Sequence, residues 1–112
     1  MFSAAVLSTA LMFGGPAVAV DQQDQARAYI HNRASRSGWI GKQWRCLDAI
    51  LQAESHYRLK AKNGTYYGIF QHKTVPEGSN IQTQWRYGAK YIAERYGSPC
   101  NALHWRLNHG WY

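Results

Sequence analysis

The sequence has 112 residues, which is enough for one small domain and excludes a multidomain enzyme. Lys and Arg number 13 against 6 Asp and Glu, so the formal net charge is +7, and 14% of the residues are aromatic. This balance argues against a cationic partner and favours an anionic polymer, either a bacterial cell wall or a nucleic acid.

Residues 1–19 have the composition of a secretory signal peptide. They carry no charge, are apolar from Ala4 to Phe13, and end in an A-x-A pattern at Ala17 to Ala19. The apolar run is short for a membrane span, although no Lys or Arg precedes it, so an N-terminal anchor is the alternative. We predict cleavage after Ala19, a secreted or cell-envelope location, and no stable membrane insertion of the mature chain.

The mature chain begins with a polar, glutamine-rich lead at residues 20–38, which is either a short helix or disordered. The domain proper is expected at residues 39–112. Its first strong helix is predicted from Trp44 to Ser55, because apolar residues recur there at helical spacing. Asn63-Gly64 then indicates a turn, and the following YYGIFQ is either a short strand or an extended loop.

Two further helical segments follow. Ile81 to Tyr96 has an apolar face at helical spacing, and Gly97 supplies a stop signal. A last helical segment is predicted over residues 101–107. The expected fold is therefore mainly α (α+β in detail), a small helical domain with a short β or loop element between its two strong helices.

Both cysteines, Cys46 and Cys100, lie in the mature chain. A domain of this size buries a modest core and benefits from a covalent cross-link. An even cysteine count in an exported protein indicates a disulfide. We therefore predict a bond between Cys46 and Cys100.

Glu54 interrupts an apolar stripe. Leu47, Ile50 and Leu51 form one face of the predicted helix, and Glu54 falls on the same face. An unpartnered buried charge is costly, so Glu54 either turns into water and pairs with Arg58 or lines a cleft. Burial favours the protonated form of a carboxyl group, and a protonated acid in a cleft is what glycosidic bond cleavage requires.

No other acidic residue offers the same pattern. Asp21 and Asp24 lie in the lead, Asp48 and Glu94 on polar helix faces that we expect to be solvated, and Glu77 in a loop at a helix start. The histidines and cysteines do not stand at metal-ligand spacing, so we expect neither a metal nor another cofactor.

The segment from Glu54 to Gln71 follows a known pattern. Glu54-Ser55 precedes Ala61 and Asn63, and Tyr67-Gly68-Ile69-Phe70-Gln71 comes next. This order resembles the signature of soluble lytic transglycosylases, a lysozyme-like family, and the stretch from Asn63 to Gly68 is also similar to resuscitation-promoting factors.

The rest of the mature chain resembles short exported actinobacterial transglycosylase-like proteins. The resemblance lies in the cysteine frame, in Trp85-x-x-Gly88-x-x-Tyr91 and in the terminal Gly110-Trp111-Tyr112. Two departures stand out, since the turn before Gly68 is shorter than in typical members and the late Tyr-Asn motif is absent.

The resemblance implies an enzyme that cleaves the MurNAc–GlcNAc β-1,4 bond of peptidoglycan. We also expect a monomer, and no nucleic-acid partner, because an exported protein seldom meets nucleic acid. Glu54 would be the single catalytic residue, and the product would carry a 1,6-anhydro-MurNAc end. The implied substrate-binding residues are Ser55, Tyr67, Gly68, Gln71 and Tyr91, with Tyr91 as a hydrogen-bond partner of Glu54. The alternatives are a hydrolytic muramidase that uses the same glutamate, a non-catalytic wall-binding module and, least favoured, a nucleic-acid binder.

Overall fold

The computed structural model describes residues 21–112, so the predicted signal peptide lies outside the described residues. The four helices are α1 (Gln22–Arg36), α2 (Lys42–Ser55), α3 (Ile81–Tyr96) and α4 (Pro99–His109). Two short strands, β1 (Lys62–Asn63) and β2 (Tyr66–Tyr67), form an antiparallel hairpin. The fold is mainly α with a small β element between α2 and α3, as the sequence predicts. None of the helices within residues 21–112 is both long enough and apolar enough to cross a membrane.

Local capping residues set the bounds of the later helices. Asn80 accepts a hydrogen bond from the backbone N–H of Thr83 at 2.9 Å, which starts α3, and Gly97 ends it with a φ of 82°. The predicted bounds of α3 are therefore confirmed. The last helix is longer than predicted at both ends, because Ser98 caps its start and Pro99 fits its first turn.

The polar lead forms a helix and belongs to the core. Ala26, Ile30 and Ala34 of α1 are buried, with Ile30 and Ala34 at 0% exposure. They recur at helical spacing and lie in the same buried cluster as the α2 stripe. The boundary expected at residue 38 is thus a turn between two packed helices.

The Ile69–Phe70 segment, which follows the hairpin, packs against α3. Ile69 and Phe70 are buried, and a Cβ added to Gly88 would lie 2.3 Å from the Phe70 ring. Only glycine leaves room for that ring against the helix backbone. This contact holds the Ile69–Phe70 segment between α2 and α3.

The disulfide between Cys46 and Cys100 is present, as predicted, with the Cα atoms 5.0 Å apart. It joins α2 to α4, and the backbone N–H of Cys100 donates to Oε1 of Gln43 at 2.9 Å. The first turn of α4 is thereby fixed against the first turn of α2.

Candidate functional site

Glu54 lies in the last turn of α2, with its side chain 17% exposed. Its Oε2 accepts a hydrogen bond from Nε of Arg106 on α4 at 2.8 Å. The partner is thus Arg106, whereas Arg58, the partner expected for a solvent-facing glutamate, lines a separate cleft beside α1. Glu54 therefore has a cationic hydrogen-bond partner from another helix, which the apolar stripe alone does not predict.

The disulfide explains why Arg106 reaches Glu54. Glu54 follows Cys46, and Arg106 follows Cys100, by about two helical turns each. With the first turns of α2 and α4 joined by Cys46–Cys100, the later turns bring the two side chains together. Sequence reasoning missed Arg106, because the offsets of Glu54 and Arg106 from their cysteines, eight and six residues, are too weak a signal to pair residues 52 positions apart.

The C-terminal residue closes one side of the site. Tyr112 is 9% exposed, and its hydroxyl donates to the Phe70 carbonyl at 2.6 Å. Burial raises the pKa of Tyr112, and the negative charge of nearby Glu54 raises it further. Tyr112 therefore stays neutral beside the glutamate and holds the Phe70 segment.

Tyr91 stands near this site but bonds elsewhere. Its ring lies 5.8 Å from that of Tyr112 and 3.7 Å from that of His72. Burial and a hydrogen bond with Tyr96 raise the pKa of Tyr91 to about 12. The resemblance implies a bond from Tyr91 to Glu54, and in the structure that bond comes from Arg106.

Ser55 is 1% exposed, and its hydroxyl is used within the protein. Its Oγ donates to the Ile69 carbonyl at 2.7 Å and accepts from the Tyr57 backbone N–H at 3.1 Å. These two bonds tie the end of α2 to the segment after the hairpin. The structure thus places the Ser55 hydroxyl inside the protein, not on a surface where a ligand would meet it.

Gln71 and Tyr67 also hold the loop. Nε2 of Gln71 donates to the carbonyls of Ala61 and Gly68, each at 2.9 Å. Tyr67 is 7% exposed and pairs with Lys62 across the hairpin. The contacts of both residues are therefore made within the hairpin and the loop that follows it, and they fix the conformation of that loop.

Gly68 is required by a neighbouring side chain. Its φ is +81°, and an added Cβ would lie 2.3 Å from Oε1 of Gln84. Gln84 is 0% exposed, its Oε1 accepts from the Ile69 N–H, and its Nε2 donates to the Leu59 and Ser79 carbonyls. The space beside Gly68, which the resemblance assigns to substrate binding, is therefore filled by Gln84, a residue that no sequence motif singled out.

The other acids within residues 21–112 have separate places. Asp21 caps α1, Asp24 lies in its first turn, Asp48 pairs with Arg27, Glu77 pairs with Lys62, and Glu94 lines a cleft on α3. No ion pair or hydrogen bond in this part of the chain links any of them to Glu54 or Arg106. The end of α2 thus presents a single carboxylate.

Comparison of the chain with models of protein families, with curated protein sequences and with solved structures gives no match. Among residues 21–112, no group of three or more His, Cys, Asp or Glu side chains is placed to hold a metal ion.

Proposed function

We propose that the protein is a lysozyme-like enzyme, a lytic transglycosylase that cleaves the MurNAc–GlcNAc β-1,4 bond of peptidoglycan. The observation that carries this proposal is the isolation of Glu54, a partly exposed carboxylate held at the end of α2 by one bond from Arg106. A carboxylate with one bonded oxygen and some access to solvent retains the capacity to exchange a proton with a ligand.

A single carboxylate constrains the mechanism. Retaining and inverting glycosidases ordinarily use two, one as acid and the other as nucleophile or base. With one, the acetamido group of the sugar stabilises the cationic carbon while protonated Glu54 gives its proton to the leaving oxygen. The resulting Glu54 carboxylate then takes the proton of the sugar 6-hydroxyl, whose oxygen closes the 1,6-anhydro ring.

Arg106 suits the second of these steps. Its Nε lies 2.8 Å from Oε2, so a charged donor holds the Glu54 side chain in place while it accepts the 6-hydroxyl proton. The first step requires that Glu54 be protonated, so the bound glycan has to weaken or displace the ion pair. Arg106 is 23% exposed, which leaves its guanidinium accessible to the solvent and to a ligand.

Exposed aromatic rings support binding of a glycan near this end of the molecule. Trp111 is 50% exposed, and Tyr66 of β2 is 48% exposed. The Arg95 guanidinium lies over the rings of Trp105 and Trp111 at 5.8 and 5.7 Å. Flat aromatic rings with a polar edge suit the mixed apolar and hydroxyl surface of a sugar.

The test is a comparison of wild type with Glu54→Gln on purified peptidoglycan, with released muropeptides measured by mass spectrometry. We expect the variant to lose at least about 100-fold in rate, the lower range for removal of a general acid–base group. Glu77→Gln, which removes an exposed carboxylate elsewhere, is the matched control and should retain full activity. Full activity of Glu54→Gln would end the enzyme proposal.

Two other outcomes are separated by the same experiment. Products with reducing ends in place of anhydro ends would assign hydrolytic muramidase activity to Glu54. The ion pair with Arg106 also suits a non-catalytic wall-binding module, in which Glu54 is a structural carboxylate. That alternative predicts that wild type sediments with peptidoglycan and releases nothing.

A further inference from the structure

A cleft of about 430 Å³ lies on the exposed side of α3. It is lined by Thr74, Arg86, Tyr87, Lys90, Tyr91 and Glu94. This volume lies near the lower end of the range for small-ligand pockets and is small for several sugars of a glycan strand.

The charges in this cleft have a fixed order. Arg86, Lys90 and Glu94 follow one another at four-residue spacing, which places them along one side of the helix as two cations and then one carboxylate. All three are exposed, and none takes part in the ion pairs found within residues 21–112. The cleft thus presents charges of both signs on successive turns of α3.

We propose that this cleft binds a zwitterionic amino acid head group, with the carboxylate of the ligand toward Arg86 and Lys90 and its ammonium toward Glu94. The inference rests on the proposed function, under which the head group is the free end of a diamino acid in a peptidoglycan stem peptide. A ligand with a carboxylate alone would leave Glu94 facing it with like charge, and an amine alone would meet the two cations.

Tyr91 connects the cleft to the proposed active site. It lines the cleft, and its ring also lies 5.8 Å from that of Tyr112, the tyrosine next to Glu54. A glycan bound at Glu54 would therefore carry its stem peptide within reach of α3. Recognition of that peptide would direct the enzyme to glycan strands whose peptides remain attached.

The experiment measures binding of isolated stem tripeptides to the protein by titration calorimetry, so no glycosidic bond is present to be cut. The first peptide ends in meso-diaminopimelate, whose distal carbon carries a free amine and a free carboxylate. The second has that distal amine acetylated, and the third ends in lysine, which keeps the distal amine but lacks the distal carboxylate. We expect the zwitterionic peptide to bind about twofold to fivefold more tightly than either of the others, the size of an accessible charge pair.

Three variants assign the charges. Glu94→Gln should remove the preference for the free amine, and Arg86→Gln should remove the preference for the carboxylate. Arg45→Gln, which neutralises an exposed arginine on α2, is the matched control and should keep both preferences. Each variant is a surface change, so its folding is checked by thermal unfolding alongside.

Equal affinity for the three peptides would overturn the proposal, as would preferences that persist in both Glu94→Gln and Arg86→Gln. Either result leaves the proposed function standing if wild type releases muropeptides. Conversely, selective peptide binding without muropeptide release would support the site and refute the catalytic role of Glu54.

Discussion

Two acids of the same helix, Asp48 and Glu54, each pair with an arginine from another helix, yet their surroundings differ. Asp48 accepts three hydrogen bonds, two from Arg27 at 2.9 and 3.0 Å and one from the Tyr57 hydroxyl at 2.7 Å. Glu54 accepts one, from Arg106. Their side chains are similarly exposed, 22% and 17%, so burial does not distinguish a structural acid from a candidate functional one. The two acids differ in the number of hydrogen bonds that each carboxylate accepts, three for Asp48 and one for Glu54.

The bonds to Asp48 also fix its charge. Burial alone would raise the pKa of Asp48, but the hydrogen bonds from Arg27 and Tyr57 outweigh it and hold the pKa below its usual range. Burial and the same Asp48 bond raise the pKa of the Tyr57 phenol. Asp48 thereby ties α1 to α2 and anchors Tyr57, which has a left-handed φ of 61°. The solvated position expected for Asp48 is wrong, because its partners come from the lead helix and from the turn after α2.

The largest expected effect on stability comes from removing the disulfide. The disulfide joins α2 to α4, the helices that carry the Glu54–Arg106 pair, and neither of its cysteines lies on α1, which carries Arg27. Replacing Cys46 and Cys100 by Ala should lower the free energy of unfolding by about 4 kcal/mol, from the entropy of the opened loop in the unfolded chain. Denaturant unfolding measures this loss. Hydrogen exchange should increase in α4, which carries Arg106, and much less in α1, which carries Arg27.

Equal protection of α4 in the double variant and in wild type would show that the Glu54–Arg106 pair does not depend on the cross-link. It would also remove the explanation given above for how Arg106 reaches Glu54.

Asp48→Asn and Glu54→Gln should separate stability from activity. Asp48→Asn weakens a charge-assisted network and should cost about 2 kcal/mol of unfolding free energy, while muropeptide release at 25 °C persists. Glu54→Gln breaks one partly exposed bond and should cost less than about 1 kcal/mol. Thermal or urea unfolding of both variants, measured together with muropeptide release, tests whether Asp48→Asn loses more stability and Glu54→Gln loses more activity.

If Glu54→Gln proved the more destabilising of the two, Glu54 would be the structural acid, and the contrast in hydrogen-bond number would have no functional meaning.

Acid pH should weaken the Asp48 network in a defined direction. Because the folded-state pKa of Asp48 is lowered, its contribution is fully present above the unfolded value of about 3.9 and is lost as the pH falls through the lower folded value. The difference in unfolding free energy between wild type and Asp48→Asn should therefore shrink below about pH 4. A difference that stays constant down to pH 2 would contradict the lowered pKa.

His72 should add a second slope nearer neutrality. Burial, together with the positive charges of Lys73 and Arg95, lowers its pKa, so its contribution is present above about pH 6.5 and is lost as the pH falls. His72→Gln should flatten the decline of unfolding free energy between about pH 6.5 and 5. Because the His72 ring lies 3.7 Å from that of Tyr91, the variant also tests whether this packing holds Tyr91.

These contrasts show what the sequence could and could not reveal. The α3 bounds were predictable because Asn80 and Gly97 act within their own turns. Glu54 was noticeable because it breaks a periodic apolar face. Its partner Arg106 lies 52 residues away in the sequence. Gln84 belongs to no sequence motif, and its side chain bonds to the carbonyl of Leu59 in another segment. Such contacts depend on how helices pack, and no local pattern encodes them.

The smallest expected effect on unfolding free energy concerns the ion pair of Lys62 with Glu77. It is a reference against which the losses from the Asp48 and Glu54 pairs can be compared. The side chains are 53% and 64% exposed and lie 3.0 Å apart, so solvent and salt screen their attraction. Glu77→Gln should change the unfolding free energy by less than about 0.5 kcal/mol, and added salt should not enlarge the difference. A loss as large as that of Asp48→Asn would mean that exposure, like burial, fails to rank these acids, and that bond number alone cannot mark Glu54 as the functional one.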